Sequence, residues 1–218
     1  MAIAKNRLPQ YSGGYDLRGS YRLVCSTGAV TVVAARTATA GFLFTMRWSS
    51  ATSVKQFIKY VGAKFTLTTA YGTAQETGCD LIVARSYTAS ASGGTAVDVG
   101  STVANTGNLW AAQPTSLIAA NATRVGTTDA FTAGTQTLDA NPLGILSGWS
   151  AAIGDTVPDA TSGAKEEYGT LFDARGPDVA PLMLTTDEGI VVRNLILMGA
   201  TGVGRWDFIV EWDEGTPQ

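Results

Sequence analysis

From Arg205 onward the chain alternates: Trp206, Phe208, Val210 and Trp212 fall on one side, while Arg205, Asp207, Glu211 and Asp213 fall on the other. Successive side chains of an extended backbone point to opposite faces, so this period of two predicts a half-buried β-strand whose aromatic face belongs in a core. The apolar run over residues 190–198 is interrupted only by Arg193 and Asn194, and it reads as a central strand covered on both faces. Gly199, Gly202 and Gly204 join the two runs. They suit a tight connection between antiparallel partners, which predicts a C-terminal hairpin. Their spacing is not that of a dinucleotide fingerprint or a P-loop, and no helical pattern follows them.

The rest of the chain repeats this style. Phe42, Phe44, Met46 and Trp48 alternate as a second core strand, and Leu81, Ile82 and Val83 centre another over residues 76–86. Further strands are expected over 21–25, 30–34, 117–120, 131–138 and 169–174. Residues 54–71 match a helical template in their first half, through Val54, Phe57, Ile58 and Val61. Their aromatic and β-branched content instead favours strands broken near Gly62. Residues 142–149, with Leu143, Ile145, Leu146 and Trp149, suit either a helical turn or an irregular cover. Residues 87–112 are rich in Ser, Thr, Ala and Gly, with Val97, Val99, Val103, Leu109 and Trp110 as anchors, and read as a long excursion outside the core.

Roughly eight to ten strands without alternating helices predict an all-β fold: an antiparallel β-sandwich, jelly-roll-like, with long loops. A length of 218 residues suits one such domain over 21–218, preceded by an extended N-terminal arm over 1–20. Pro9, Gly13, Gly14 and Gly19 interrupt the arm, and Tyr11, Tyr15 and Tyr21 are spaced along it and into the first strand. The arm is either a loose terminus or a strap anchored on a neighbouring subunit by its tyrosines.

Composition limits the partners. Only 15% of residues are charged, against about a quarter in ordinary domains, and the net charge is -3 without a basic run. Strong nucleic-acid binding is therefore not expected, since few cations are available to displace phosphate counterions. The N-terminus lacks the apolar centre of a signal peptide and no stretch has the length of a membrane span, so no membrane partner is expected and the protein is expected to be made and kept in a cytoplasm. A smooth, sparsely charged exterior suits a surface covered by copies of itself or by a partner.

Chemistry is limited too. The chain has no histidine, which removes the commonest general base and the Ser-His and Cys-His nucleophile pairs. Cys25 and Cys79 are far apart in strand-like surroundings and read as free buried thiols; clustered zinc ligands are missing. Three acidic pairs remain, Glu166 with Glu167, Asp187 with Glu188, and Asp207 with Glu211. The first reads as a solvated loop and the second as turn chemistry. The third reads as a solvated strand face where the acids pair with Arg205 or, across strands, with Arg193. A glycosidase would need aromatics flanking its carboxylates, and the alternation predicts the tryptophans on the face opposite the acids. No enzyme, cofactor or metal site is expected; calcium on loop aspartates stays open, without EF-hand spacing.

Met46-Arg-Trp48-Ser-Ser-Ala-Thr52, Leu171-Phe-Asp-Ala-Arg175, Asp187-Glu-Gly-Ile-Val-Val-Arg-Asn194, Gly202-Val-Gly-Arg-Trp206 and Val210-Glu-Trp212 together resemble a family of small structural proteins of tailed bacteriophages. The resemblance implies a virion component, a decoration (cement) protein on the capsid exterior, and carries no catalytic or ligand residues. The expected partners are the major capsid protein and further copies of the chain, most simply as a trimer at local threefold positions. The residues expected at subunit or capsid contacts are Tyr11, Tyr15 and Arg18 in the arm and Leu109 and Trp110 in the excursion. The alternatives are a tail or head-fibre adhesion protein and, suggested by five tryptophans, a carbohydrate-binding β-sandwich.

Overall fold

A computed structural model describes residues 15–31, 34–37, 40–99, 106–108, 114–127, 134–150, 153–158, 168–176, 178–199 and 201–217. Tyr11, Leu109, Trp110 and the Glu166-Glu167 pair lie outside them. The strands are β1 (Tyr15–Ser26), β2 (Phe42–Trp48), β3 (Lys55–Thr69), β4 (Gln75–Ala89), β5 (Thr95–Ala96), β6 (Thr106–Asn108) and β7 (Thr123–Val125). They continue with β8 (Thr135–Leu138), β9 (Gly144–Ser150), β10 (Thr156–Val157), β11 (Gly169–Asp173), β12 (Leu182–Leu184), β13 (Glu188–Asn194) and β14 (Val203–Pro217).

Two antiparallel sheets of seven strands each pack face to face as a β-sandwich. The first runs β10-β3-β14-β1-β6, with β12, β11 and β10 pairing successive stretches of β3. The second runs β5-β7-β2-β13-β4-β8, with β9 also on β4. These pairings define an antiparallel sandwich; they do not add the finer jelly-roll path.

The alternation of the last strand is read out as expected: Trp206, Phe208, Val210 and Trp212 are fully buried on the inner face of β14. Phe208 meets Phe44 of β2 across the two sheets, ring centroids 5.5 Å apart, and Tyr21 stacks on Trp212 at 5.4 Å. β2 has the limits its alternation implied. Cys25 and Cys79 are free thiols in the same core.

Several expectations are corrected. The C-terminal hairpin is absent, because β13 sits between β2 and β4 in one sheet while β14 sits between β3 and β1 in the other. The Leu195 N–H donates to Gly78 O at 2.9 Å, prolonging the β13 path beside β4, and Val30 and Gly204 exchange two backbone bonds at the entrance to β14. The intervening turn, closed by Gly202 N–H to Gly199 O at 3.3 Å, changes sheets. Gly202 is needed there because a Cβ would lie 1.9 Å from the Tyr71 ring. Gly62 does not break β3, which is continuous for 15 residues because β14 pairs along nearly its whole length.

Residues 144–150 form the strand β9, neither helical turn nor irregular cover. Residues 15–20, expected in the arm, belong to β1 and pair with the end of β14. Of the described residues in 30–34, Val30 makes a bridge, 117–120 are not strand, and β8 spans 135–138. Part of the excursion is core after all: β4 extends to Ala89, and Val97 and Val99 join the main apolar cluster.

The sandwich closes along one side where β9 of the second sheet meets β10 and β11 of the first. Gly144 makes this approach possible: a Cβ there would lie 2.0 Å from Leu171 O, a clash with backbone that no side-chain motion relieves.

Candidate functional site

The acidic face of β14 comes first, as the densest charge in the sequence. It is not solvated: Asp207, Glu211 and Asp213 are all buried. Asp213 accepts from the Tyr15 hydroxyl at 2.7 Å and the Ser20 hydroxyl at 2.5 Å, and pairs with Lys59 at 2.6 Å. Glu211 accepts from Arg22 at 2.8 Å, and Asp207 pairs with Arg205 and accepts from Ser26. Long basic and aromatic side chains from β1 and β3 lie over the acids and cover them with their apolar stems. Alternation within one strand does not reveal this cover, because it comes from neighbouring strands.

At the end of the same strand, Glu214 is fully buried between β14 and the segment 114–118. Its oxygens accept from Ser116 Oγ at 2.5 Å, the Leu117 N–H at 3.0 and 3.1 Å, and Arg18 at 2.6 Å. Burial raises its pKa, with these donors pulling the other way. Next to it, the Tyr21 hydroxyl donates to Pro114 O at 2.7 Å and accepts from Arg18 at 3.1 Å. Burial, and then Glu214, push the Tyr21 phenol to about 12. A raised carboxyl beside a phenol has the ingredients of acid-base chemistry. Here both groups are occupied by donors and acceptors of their own chain, and they clamp residues 114–118 to the sandwich.

Of the expected contact residues, Tyr15 and Arg18 are described, and both are engaged within the chain. Tyr15 stacks on Phe57 with centroids 3.9 Å apart besides binding Asp213, and Arg18 ties Glu214 to Tyr21. Asp187 and Glu188 do make a turn. Asp187 takes a positive φ of 59° and pairs with Arg47 at 2.6 Å, while Glu188 accepts from the Thr185 N–H at 2.7 Å. Arg193, expected opposite the acids of β14, instead pairs with Asp80 through two bonds, 2.7 and 3.1 Å, on the outer face of the second sheet. Arg36 reaches the same carboxylate at 2.6 Å.

Neither cysteine is poised as a nucleophile. Burial, reinforced by Asp207, pushes the Cys25 thiol to about 12, and burial beside Asp80 raises Cys79 well above its ordinary value. Neither thiol is expected to react with an aromatic disulfide reagent in the folded protein, and both should react after denaturation; rapid titration of either in the native state would contradict the burial. The sign of the alkaline response follows from the same shifts. Unfolded, Tyr21 and Cys25 ionise from their ordinary 10.0 and 9.0, whereas folded they hold protons to about 12. Their contribution to stability is complete below the unfolded values and is lost as pH climbs through the folded ones. The urea midpoint should fall between about pH 8 and about pH 11; an unchanged midpoint would contradict this.

The remaining feature was not anticipated. Leu143, Ile145, Trp149 and Ile153 are exposed within one short stretch centred on β9, Trp149 to 73%. Register places Ile145 and Trp149 opposite Asp80 and Glu76, so both lie on the outer face of the second sheet. Beside Trp149 lies a half-open cavity of about 260 Å³ lined by Gly148, Trp149, Asp155 and Thr156. The tryptophans are therefore not uniformly opposite the acids: Trp206 and Trp212 are buried, while Trp149 adjoins Asp155. A signal was present in the alternation of Ile145, Ser147 and Trp149 with smaller or inward residues.

No cluster of three or more metal-ligating side chains occurs among the described residues, and no helix among them is long and apolar enough to cross a membrane. The chain matches no family model, and neither a curated protein nor a solved structure matches it.

Proposed function

We propose that the protein is a non-enzymatic structural component of a tailed-phage virion, a decoration (cement) protein on the capsid exterior. It would act by self-association, most simply as a trimer, and by contact with the major capsid protein. One observation carries the non-enzymatic part: the buried carboxylates Asp80, Asp207, Glu211, Asp213 and Glu214 are all engaged by donors of their own chain. Groups so engaged hold a sandwich rigid and leave little capacity to exchange protons with a substrate. The virion assignment draws on the resemblance of the strand and turn motifs.

Electron microscopy of labelled particles tests it. Density on the shell, together with weaker capsids when the protein is deleted, is the expected result. A protein missing from purified particles, and monomeric on sedimentation, would overturn the proposal. Tail or fibre adhesion is the second reading, favoured by the exposed Trp149 beside its cavity; label at the tail or on fibres would select it.

A further inference from the structure

We propose that the outer face of β9 is a twofold contact for a second copy of this chain, in which Trp149 of each protomer packs on the partner's Ile145. The contact rests on the self-association proposed above and gives it a face, one that can pair two chains or join two threefold rings.

The face is built on paired strands. β9 runs along β4 with Ile145 opposite Asp80, Ser147 opposite Gly78 and Trp149 opposite Glu76, so these positions share the outer side of the second sheet. Leu195, just past β13, lies over Gly78: a Cβ there would be 2.8 Å from Leu195 Cδ1 and 2.8 Å from Ser147 Cβ. Ile145, Leu195 and Trp149 therefore follow one another as an apolar row about 13 Å long, four residues of strand. Strand-mounted side chains hold their places before a partner arrives, which lowers the ordering cost of association.

Area and charge select the occupant. Trp149 is 73% exposed and Ile145 54%, while Leu143 ahead of them and Leu197 beyond Leu195 are 43% and 57% exposed. At about 150–250 Å² for a whole large side chain, these fractions leave roughly 400 Å² of apolar surface. That is close to the apolar share of one side of a standard interface, about 57% of about 800 Å². The two ends of the row differ in charge. At the Trp149 end stands Glu76, which has no ion pair among the described residues. At the Ile145 end, Arg36 and Arg193 share the one carboxylate of Asp80, which leaves a positive charge in excess, and Arg36 is the more exposed of the two. A twofold axis through Ser147 reverses the row, bringing Glu76 toward the partner's Arg36 and Trp149 onto the partner's Ile145. A second copy thus carries the complement of this face by symmetry alone, which is the requirement of an isologous contact.

Sedimentation equilibrium and thiol cross-linking of the full chain test it. The average mass should double with rising concentration, with a Kd on the order of 1–100 µM. Ile145→Glu with Trp149→Glu should remove that step, and Glu76→Gln should weaken it severalfold. Ser147→Cys places a thiol beside the axis, where it meets its own copy, while Cys25 and Cys79 are buried and do not compete. Under mild oxidation this variant should form a covalent dimer at least about tenfold faster than Thr95→Cys, whose thiol sits on β5 at the opposite edge of the same sheet. The cross-link needs no variant of the apolar row, so it stands even where the double glutamate variant fails to fold. Equal linking rates at the two positions, or a mass step that persists in the folded double variant, would overturn the twofold face. A trimer that shows either result leaves the virion reading intact; that reading fails instead on purified particles that lack the protein.

Discussion

Asp80→Ala is expected to lower the unfolding free energy by about 3–5 kcal/mol, because it strands a buried guanidinium. Arg193 is buried, and without Asp80 it keeps a bond of 3.1 Å to Thr37 O, a neutral acceptor. Arg36 loses the same partner, so residues 34–37, held to the second sheet partly by that pair, should become more open to hydrogen exchange. The penalty belongs to the broken pair more than to the pair's net worth. Asp80→Leu with Arg193→Met should therefore recover most of the loss, since replacing both charges by apolar groups removes the desolvation cost along with the attraction. Urea unfolding of the single and double variants measures both quantities. A single-variant loss below about 1 kcal/mol would mean that water reaches the pair and that its burial is overstated.

Trp206→Ala should cost about 3–5 kcal/mol, the range for deleting a buried large aromatic. Trp206 is fully buried beside Phe65 at 5.1 Å and Phe208 at 6.3 Å, so truncation leaves a cavity that the paired strands around it cannot collapse into. Trp206→Phe should cost much less. It retains most of the ring area and removes an indole N–H for which no partner occurs among the described residues. Trp149→Ala, at the exposed cavity, should stay within about 0.5 kcal/mol. Equal losses at Trp149 and Trp206 would contradict the division into core and surface tryptophans.

How far the sequence was legible depended on the range of the interaction involved. The limits of β2 and the inward face of β14 were readable because a period of two is a local property of an extended chain. The alternation marks a face as buried without naming the sheet that buries it. The same glycines over 199–204 therefore allowed a hairpin on paper and make a change of sheet in the molecule. The continuity of β3 through Gly62 was equally hidden: a glycine weakens a strand locally, but here β14 and β11 flank it on both edges. At β9 the outward Ile145 and Trp149 lie on an edge strand, where an apolar residue reports exposure or burial only once its neighbours are known.

The sites divide in the same way. The missing histidines and low charge pointed away from general-base chemistry without any coordinates. Which acids are buried was not readable, because the donors that saturate Glu214 come from β1, from residues 116–117 and from β14 itself.

Sequence alone therefore determined the all-β class, the positions of the strongest strands, and the aromatic face that must be removed from water. These follow from backbone geometry and the cost of apolar exposure, both of which act residue by residue. Tertiary structure alone decided the sheet to which each strand belongs, which charges are sealed, and that Trp149 stands beside Asp155 at the seam. Those outcomes depend on pairings between distant segments, which no local pattern encodes.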